Sequence, residues 1–514
     1  MVDFKSLAMM STQCGSILII SAALLLSGRK SHHNTSIPND ILNDMITTSI
    51  DDLDLRDSLR PPSKRRWRRV SSTSDESTTP RKKRMVLYDR ERAYQCVMDD
   101  YLHQNSKFDD RQFERHHRIT RGLFQWTLEE LAKDDPFWTQ KPDCTGRPGI
   151  APEVKLLAAL KLVCYGVSFS AFQSYFQMGE STARECVSRM SQGMFNNKNI
   201  REKYLRQMTK SDARKVEKMH STQHGVNGML GSIDVMQVCW ENCPYEQRGQ
   251  HIGKNGKPTL GLEAVADNSL WFWHSDFGFP GALNDINIWD RSELHNAMVD
   301  GTHDELDFEF ILDDEIRRML WYLADGIYPE LARFVKTMPV PLTKKEKYFT
   351  SWQEAKRKDI ERAFGVLEKK FNILVTPVRL FHVQDIFFVV KACIALHNMM
   401  VEVRVNSDET ESVNFYEEVH EEVNGTDTDS TYVDPAVQAI DAEDAVFENN
   451  ADLLNMAGDN VDVELMKKYK AAQLLGRKIR IVERRWKTLS NTEEHFRLQS
   501  SVMNHVANHV RDEE

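Results

Sequence analysis

The hydrophobic pattern of the chain changes its period near Met229, and this change limits the folds that are open to it. Before that point apolar residues recur at helical spacing. After it come three short apolar runs typical of buried strands: MLGSIDVMQVCW (229–240), TLGLEAVA (259–266) and LWFWHSD (270–276). The residues Asp-Asn-Ser between the last two runs indicate a hairpin turn. A group of antiparallel strands is therefore expected to follow a helical region.

Later segments extend this pattern into an α/β fold. They predict, in order, a helix, two strands and two helices: NDINIWDRSELHNAM (284–298), DFEFILDD (307–314), RRMLWYLAD (317–325), KDIERAFGVLEKKFNIL (358–374) and the apolar segment 384–402. Antiparallel strands followed by a helix, another strand and a late helix are typical of a ribonuclease-H-like sheet. The apolar segment 384–402 is expected to pack in the core.

The region before the strands divides into two helical parts. Residues 85–148 form an N-terminal helical region, and residues 149–200 contain three helices in close order, the first running from Pro152 to Gly166. A tight turn at Gly179 joins the last two, as in a helix-turn-helix whose final helix can enter a major groove. The polar face of that helix offers four residues to DNA: Ser181, Thr182, Arg184 and Arg189. An ordinary helical bundle explains the same pattern equally well.

The two ends of the chain differ in charge, so the net charge of −10 is an average over unlike regions. Residues 1–84 are predicted to be disordered and basic, and their clusters KRRWRR and RKKR are typical of a two-part nuclear localisation signal. Ile17–Leu26 resembles the apolar part of a signal peptide, which gives secretion as the alternative. Residues 403–465 are predicted to be an acidic disordered linker, and residues 466–514 a basic and amphipathic helical tail.

The eight cysteines are scattered without a paired framework, which suits a reducing compartment. Cys239, Cys243 and His251 lie close enough in sequence to suggest a zinc site. However, no second Cys/His pair has ligand spacing, and Cys239 falls in an apolar strand, so buried thiols are the preferred interpretation.

Acidic residues in the α/β region are the candidates for chemistry. Asp234 falls inside the first apolar strand, where desolvation raises a carboxyl pKa unless a cation or donor compensates. Asp325 lies at a strand end and Glu361 at the border of an apolar helix stripe. Carboxylates that converge can hold two metal ions for phosphoryl transfer. Each residue also has an ordinary explanation: an Asp-Gly turn for Asp325, a helix N-cap for Asp285, and a solvated glutamate beside Arg357 for Glu361.

Eight short motifs occur in order along the chain: GRPG (146–149), GESTARE (179–185), MLGSID (229–234), WENCP (240–244), GFPGALNDIN (278–287), YLADGIYP (322–329), RKDIERAFGVL (357–367) and ALHNMM (395–400). With these motifs the chain resembles the PIF/Harbinger-type transposases, in the plant transposon protein group with a DDE superfamily endonuclease domain. The resemblance places that domain at residues 228–402.

The resemblance implies a nuclease that cuts double-stranded DNA at terminal inverted repeats and joins the freed 3′-OH to target DNA. It implies Asp234, Asp325 and Glu361 as the catalytic triad, with the same three residues and Asp285 as metal ligands. Mg²⁺ is the implied cofactor, with Mn²⁺ as a substitute, and oxygen ligands agree with both ions. A Myb/SANT-like DNA-binding partner is implied as well. A homo-oligomer and a nuclear location are further expectations.

The chain departs from the family pattern at Gln237. Family members generally read Asp-x-x-His from the first catalytic aspartate, whereas this chain has Gln237 at the position of the histidine. A glutamine side chain can form hydrogen bonds, but it cannot take up a proton near neutral pH. An alternative therefore stays open: a catalytically inactive, transposon-derived protein that binds DNA or acts as a scaffold.

Overall fold

The computed structural model describes residues 87–142, 144–408 and 481–510. The N-terminal basic clusters, Ile17–Leu26, most of the acidic linker and the first part of the tail lie outside these residues. Eight α-helices of the described part precede its first strand: α1 (Arg90–Val97), α2 (Asp110–His117), α3 (Arg121–Asp134), α4 (Pro152–Tyr165), α5 (Gln173–Phe176), α6 (Glu180–Asn196), α7 (Lys198–Tyr204) and α8 (Lys210–His224).

The helices before residue 166 agree with the sequence pattern. The side chain of Asp109 caps α2 in a capping box, and Thr120 caps α3. Helix α4 begins at a proline and ends at Gly166, whose positive φ of 62° lets the chain leave the helix. Local capping chemistry therefore sets these boundaries.

The middle helix of the predicted helix-turn-helix is broken into two pieces. Phe169–Ala171 form a 3-10 turn, and α5 that follows is only four residues long before Gln177 adopts a left-handed conformation. Phe169 and Phe176 are buried, and their rings stack with centroids 6.5 Å apart. A continuous helix would separate them by about 10 Å along its axis. Stacking of these two rings therefore favours the broken segment over one continuous helix.

The strands and the remaining helices follow in this order: β1 (Met229–Cys239), α9 (Tyr245–His251), β2 (Thr259–Ala266), β3 (Phe272–Pro280), α10 (Asp285–Trp289), α11 (Glu293–Asp300), β4 (Phe310–Leu312), β5 (Glu315–Arg317), β6 (Trp321–Leu323), β7 (Phe334–Val335), α12 (Lys344–Lys370) and α13 (Val383–Asp408). The main sheet has five strands in the order β3-β2-β1-β6-β7. β1, β2 and β3 pair antiparallel, whereas β6 pairs parallel to β1 and β7 parallel to β6. The mixed α/β class expected from the sequence is confirmed.

Strand β1 is central because it separates two hydrophobic cores. Met236 and Val238 face a core that includes Ile360 and Phe364 of α12, whereas Ile233 faces the core on the other side of the sheet. The pairing of β1 with β6 shifts in register near Gly231, where φ is +146°. A Cβ at Gly231 would lie 2.6 Å from the carbonyl oxygen of Ala266, so this irregular position requires glycine.

Two predictions after β3 were wrong in detail. The run 307–314 does not join the main sheet, because Asp313 and Asp314 both have positive φ angles and turn β4 back onto β5 in a separate hairpin. The helix predicted over 284–298 is two helices, since Ser292 caps α11 and starts a new one.

The late helices are longer than the sequence pattern indicated. Helix α12 starts at Lys344, fourteen residues before the predicted start at 358, because Thr343 and Glu346 form a capping box. Helix α13 reaches Asp408, six residues into the predicted linker. Among the described residues, Val383–Val405 is the one helix long and apolar enough to cross a membrane, and 78% of its apolar window is buried in the protein. It therefore packs as a core helix.

The C-terminal segment packs against the sheet. Residues 481–489 are helical, and helix α14 (Thr492–His505) follows. Leu498 and Val502 of α14 are buried in the core that also contains β6 and β7. The Nδ1 of His495 lies 3.0 Å from the carbonyl oxygen of Leu331, and the amide of Ala332 donates to the carbonyl of Leu489 at 2.8 Å. The tail therefore completes this core.

We expect the substitution Leu498→Ala to lower the free energy of unfolding of the full chain by about 2–4 kcal/mol, because it leaves a cavity beside β7. The control is Phe496→Ala on the same helix, whose side chain is exposed and should change the free energy by less than about 0.5 kcal/mol. Urea denaturation followed by tryptophan fluorescence measures both. Equal effects of the two substitutions would contradict the packing of α14.

Candidate active site

Asp234 occupies the middle of β1, opposite Ala264 of β2, on the sheet face that α12 covers. Its side chain is 23% exposed, and its Oδ1 accepts the backbone N–H of Val235 at 2.8 Å. The pKa of Asp234 is raised to about 6, mainly by burial. The N–H of Val235 and the guanidinium of Arg357 oppose this rise, and the carboxylates of Asp285 and Glu361 contribute to it. A cation close to Asp234 therefore stabilises the charged form of its carboxylate.

Arg357 bridges the carboxylates of Asp234 and Glu361. Its Nη1 lies 3.5 Å from Oδ2 of Asp234, and its Nη2 donates to Oε1 of Glu361 at 2.7 Å. Arg357 and Glu361 are one helical turn apart on α12, so they project on the same side of that helix. Glu361 is thus an ion-paired helix residue, as its ordinary explanation states. The same ion pair, however, also brings Glu361 to the carboxylate of β1.

Asp325 and Asp285 lie on loops and helix ends beside β1. Asp325 follows β6, the parallel neighbour of β1; it is exposed, and its Oδ1 accepts the N–H of Gly326 at 2.7 Å. Asp285 is the first residue of α10, and the N-cap is Asn284, which accepts the N–H of Asn287 at 2.9 Å. Because Asn284 provides the cap, the carboxylate of Asp285 is left for another role.

Three of the predicted carboxylates act electrostatically on the hydroxyl of Tyr328. Burial raises the pKa of Tyr328 well above its usual value, and the charges of Glu263, Asp234, Asp285 and Asp325 raise it further. The hydroxyl is buried and forms no hydrogen bond with the described residues. Glu361 joins the group through Arg357 and Asp234. The four predicted acidic residues, from β1, α10, the β6 loop and α12, are therefore electrostatic neighbours, and Arg357 directly joins two of them, Asp234 and Glu361.

A tighter group of possible ligands, which the sequence analysis missed, lies nearby. Among the described residues, His220, His224 and Asp359 are the His/Cys/Asp/Glu group whose ligand atoms all lie within 4.8 Å of one another. Nδ1 of His220 lies 3.0 Å from the carbonyl oxygen of Met229, and its Nε2 accepts the N–H of Asn268 at 3.1 Å. The Nε2 of His224 is 2.9 Å from Oδ2 of Asp359. Since both nitrogens of His220 are used, this group ties α8 to α12 and to the β2–β3 turn.

Gln237, the residue that replaces the family histidine, does not lie beside Asp234. The two residues are three positions apart in one strand, so their side chains point to opposite faces of the sheet. Gln237 is exposed and pairs with Gly261 of β2, beside Ile288 of α10. The change to glutamine therefore affects the side of the sheet that α10 covers and leaves the immediate contacts of Asp234 intact.

The predicted DNA-binding residues differ in their exposure to solvent and in their ion pairs. Ser181 and Arg184 are exposed near the start of α6, Thr182 is half-buried beside them, and Arg184 pairs with Glu180 at 2.5 Å. Arg189 is paired with both Asp135 and Glu185, at 2.8 and 2.9 Å, and its guanidinium lies over the ring of Phe137. Contact with a phosphate is thus least costly for the first turn of α6.

The described chain is a mixed α/β protein that gathers four carboxylates beside its central strand. Residues 202–408 match the family model described as plant transposon protein. This match contains Asp234, Asp285, Asp325 and Glu361, confirms the resemblance over that segment and is consistent with a PIF/Harbinger-type transposase family. No curated protein and no solved structure matches the chain.

We expect Arg357→Met to raise the affinity of the full chain for Mn²⁺ several-fold, because the guanidinium of Arg357 competes with a metal ion for Asp234 and Glu361. Isothermal titration with Mn²⁺ measures the change. Arg362→Met is the matched control, since Arg362 pairs with Asp359 on the same helix, away from Asp234. Weaker Mn²⁺ binding by Arg357→Met would show that the arginine supports the site and does not compete for it.

The raised pKa of Asp234 predicts a pH-dependent effect of Asp234→Asn on the metal-free protein. A carboxyl whose pKa is higher in the folded state stabilises that state at low pH, and this contribution is lost as the pH rises through about 6. We therefore expect the asparagine variant to gain roughly 2 kcal/mol relative to wild type between pH 4 and pH 8. Urea denaturation in EDTA at the two pH values measures the gain. If the variant instead loses stability relative to wild type between pH 4 and pH 8, Asp234 is not desolvated in the folded protein.

Proposed function

We propose that this chain is a divalent-metal-dependent DNA endonuclease of the transposase type, which cuts and joins DNA by phosphoryl transfer. The observation that carries the proposal is the bridging of Asp234 and Glu361 by Arg357, together with the electrostatic interaction of Asp234 with Asp285 and of Asp285 with Asp325. The match to the plant transposon protein family supports a transposon-derived function. A ribonuclease-H-like core is part of the proposal, supported by three antiparallel strands, a parallel fourth strand and a late helix bearing Glu361.

The acidic residues fit Mg²⁺ or Mn²⁺ as the cofactor. All four offer carboxylate oxygens, which hard divalent cations prefer, and a guanidinium already bridges two of them. Asp234 and Glu361 would hold one ion and Asp234 and Asp325 the other, with Asp285 as a further ligand. The bound ions would supply an activated water or 3′-OH and stabilise the leaving oxygen.

Arg357 has a second role in this proposal. A metal ion that takes over the carboxylates of Asp234 and Glu361 frees the guanidinium between them. An arginine can then donate two parallel N–H bonds to the oxygens of a DNA phosphate. Arg357 would thus exchange a carboxylate partner for the substrate, which keeps the charge of the site balanced before and after DNA binds.

Recognition of double-stranded DNA at terminal inverted repeats is assigned to α6 and the helices before it. Ser181, Thr182 and Arg184 lie on the first turn of α6, where contacts with base edges or phosphates are least obstructed. A role for Arg189 requires it to leave two carboxylates, so its contribution is expected to be smaller. A Myb/SANT-like partner, a homo-oligomer and a nuclear location belong to the same proposal.

Gln237 favours a second candidate function, that of an inactive DNA-binding or scaffolding protein. If the family histidine is needed for catalysis, glutamine cannot replace its proton transfer. The contacts of Asp234 with Val235 and Arg357 do not involve Gln237, which lies on the opposite sheet face beside α10, and this argues for the enzyme. The catalytic function is therefore the preferred proposal.

We expect Asp325→Asn and Glu361→Gln to abolish cleavage of DNA that carries the inverted repeats flanking the coding sequence, while DNA binding stays within about twofold of wild type. The full chain is assayed with Mn²⁺ on labelled repeat-end duplexes, and binding is measured by fluorescence anisotropy in EDTA. Asp290→Asn, an exposed aspartate at the end of α10, is the control that should keep cleavage. Wild-type protein that binds these duplexes without cutting them would support the scaffolding alternative.

A further inference from the structure

An open cleft lies where the helices α2, α4 and α12 end. Its volume is about 460 Å³, and its wall includes Arg118, Tyr165, Gly365, Glu368, Lys369 and Asn372. The thiol of Cys164 donates to the carbonyl of His117 at 3.3 Å, which joins the end of α4 to that of α2. The side-chain amide of Asn372 donates to the carbonyl of Tyr165 at 2.9 Å, which joins the segment after α12 to α4. The cleft is therefore part of the packing between these helices.

The wall of this basic cleft carries two cations that its acidic residue does not neutralise. Arg118 follows α2 with a φ of 64°, and its Nε is buried without a hydrogen bond to a described residue. Lys369 is exposed in the last turn of α12. The acidic residue is Glu368, whose pKa is raised by burial alone, so neither cation stabilises its carboxylate. The cleft therefore has a net positive wall.

Two further lysines lie close to Arg118. The Nζ of Lys161 is 4.9 Å from the centre of the Tyr165 ring, and the Nζ of Lys370 is buried without a hydrogen bond to a described residue. Burial is the main cause that lowers the pKa of Lys161 to about 8 and that of Lys370 to about 7, and the charge of Arg118 contributes to both. Glu114 acts in the opposite direction on Lys370. The positive charges around the cleft thus repel one another, and an anion in the cleft would stabilise them.

The cleft lies on the same side of α12 as the candidate active site. Glu361, Gly365 and Glu368 share one face of that helix, and Lys369 is about 12 Å from Glu361 along the helix axis. A Cβ at Gly365 would meet nothing within 4 Å, so the space beside α12 is open between Glu361 and the cleft. One strand of B-DNA has a phosphate about every 3.4 Å along its axis. A strand cut beside Glu361 could therefore place a phosphate in the cleft within about four nucleotides of the cut.

We propose that the basic cleft binds a backbone phosphate of the DNA strand that is cut at the carboxylates, with Arg118 and Lys369 as the direct contacts. The inference rests on the proposed function, because it names a place where the same substrate is held. Arginine donates two parallel N–H bonds to phosphate oxygens, and lysine adds a point charge. Such contacts fix the position of a strand without reading its sequence. Lys161 and Lys370 strengthen the positive potential of the cleft from behind its wall.

The first test is binding of the full chain to repeat-end duplexes in EDTA, measured by fluorescence anisotropy over a range of salt concentrations. We expect the double substitution Arg118→Gln and Lys369→Gln to weaken binding several-fold and to reduce the slope of log K against log salt by about 1. Lys218→Gln is the control for loss of a surface charge, since Lys218 is exposed on the side of α8 opposite His220. A double variant with the affinity and slope of this control overturns the inference.

A second pair of variants tests the space of the cleft without changing its charge. We expect Gly365→Phe, which fills the cleft, to weaken DNA binding several-fold, and Gly365→Ala, whose methyl group fits the open space, to bind as wild type. This pair also decides the question if the double variant does not fold, as judged by circular dichroism. Equal DNA affinities of the phenylalanine and alanine variants overturn the inference.

A third test locates the phosphate. Single uncharged methylphosphonates are placed at each of the four phosphates on either side of the repeat end. We expect wild type to lose affinity at one of these positions and Arg118→Gln to lose less at the same position, because the variant has already lost the contact. Equal losses for the two proteins at every position overturn the inference.

The outcomes separate this inference from the proposed function and from binding of free phosphate. If the cleft variants bind DNA as their controls do and wild type still cuts it, the inference is overturned and the proposed function stands. If isothermal titration shows that inorganic phosphate binds wild type but not Gly365→Phe, while their DNA affinities are equal, the cleft takes a free anion and the inference is overturned. Wild-type protein that neither binds nor cuts repeat-end duplexes overturns both.

Discussion

Repulsion among carboxylates held in a partly desolvated space is the constraint on which the central part of this structure depends. Asp234, Asp285 and Asp325 each act on the hydroxyl of Tyr328, and the pKa values of Asp234 and Asp285 are raised. Such a group is costly to fold unless positive charge accompanies it. In the metal-free protein Arg357 provides part of that charge, and it does so from the same helix that carries Glu361. Helix α12 thus carries both Glu361 and the arginine that is its counter-ion.

Two fully buried charged residues of this protein are compensated in different ways. Arg333 is fully buried, yet Asp304 and Asp307 accept its N–H groups at 2.6 to 2.8 Å, and the carbonyl of Leu320 accepts another. Glu263 is equally buried, and neither oxygen of its carboxylate has a hydrogen bond among the described residues. The charged contact of Glu263 among the described residues is with His274, whose Nε2 lies 3.4 Å from its Oε2.

The sequence predicted the regular parts of the fold, and it failed where contacts between residues distant in sequence determine the structure. β1 to β3 are visible as apolar runs, and Asp234 is conspicuous within one of them. The contact of Glu263 with His274 was not predicted, because one charged residue in an apolar run gives no indication of its partner. The strand predicted over 307–314 was assigned to the main sheet, but it forms a separate hairpin. Two aspartates with positive φ determine the turn of that hairpin. The bridging of Asp234 by Arg357 depends on a fold that joins residues over a hundred positions apart.

The unit that supports the candidate site extends beyond the segment that matches the plant transposon protein family. The match ends at residue 408, yet α14 fills the core that backs β6 and β7, and Asp325 follows directly after β6. The amide of Ala332, in the loop between Asp325 and β7, donates to Leu489 of the tail. The position of Asp325 therefore depends on a loop that the C-terminal segment holds in place. A chain ending at residue 408 would retain all four carboxylates but lose the support for one of them.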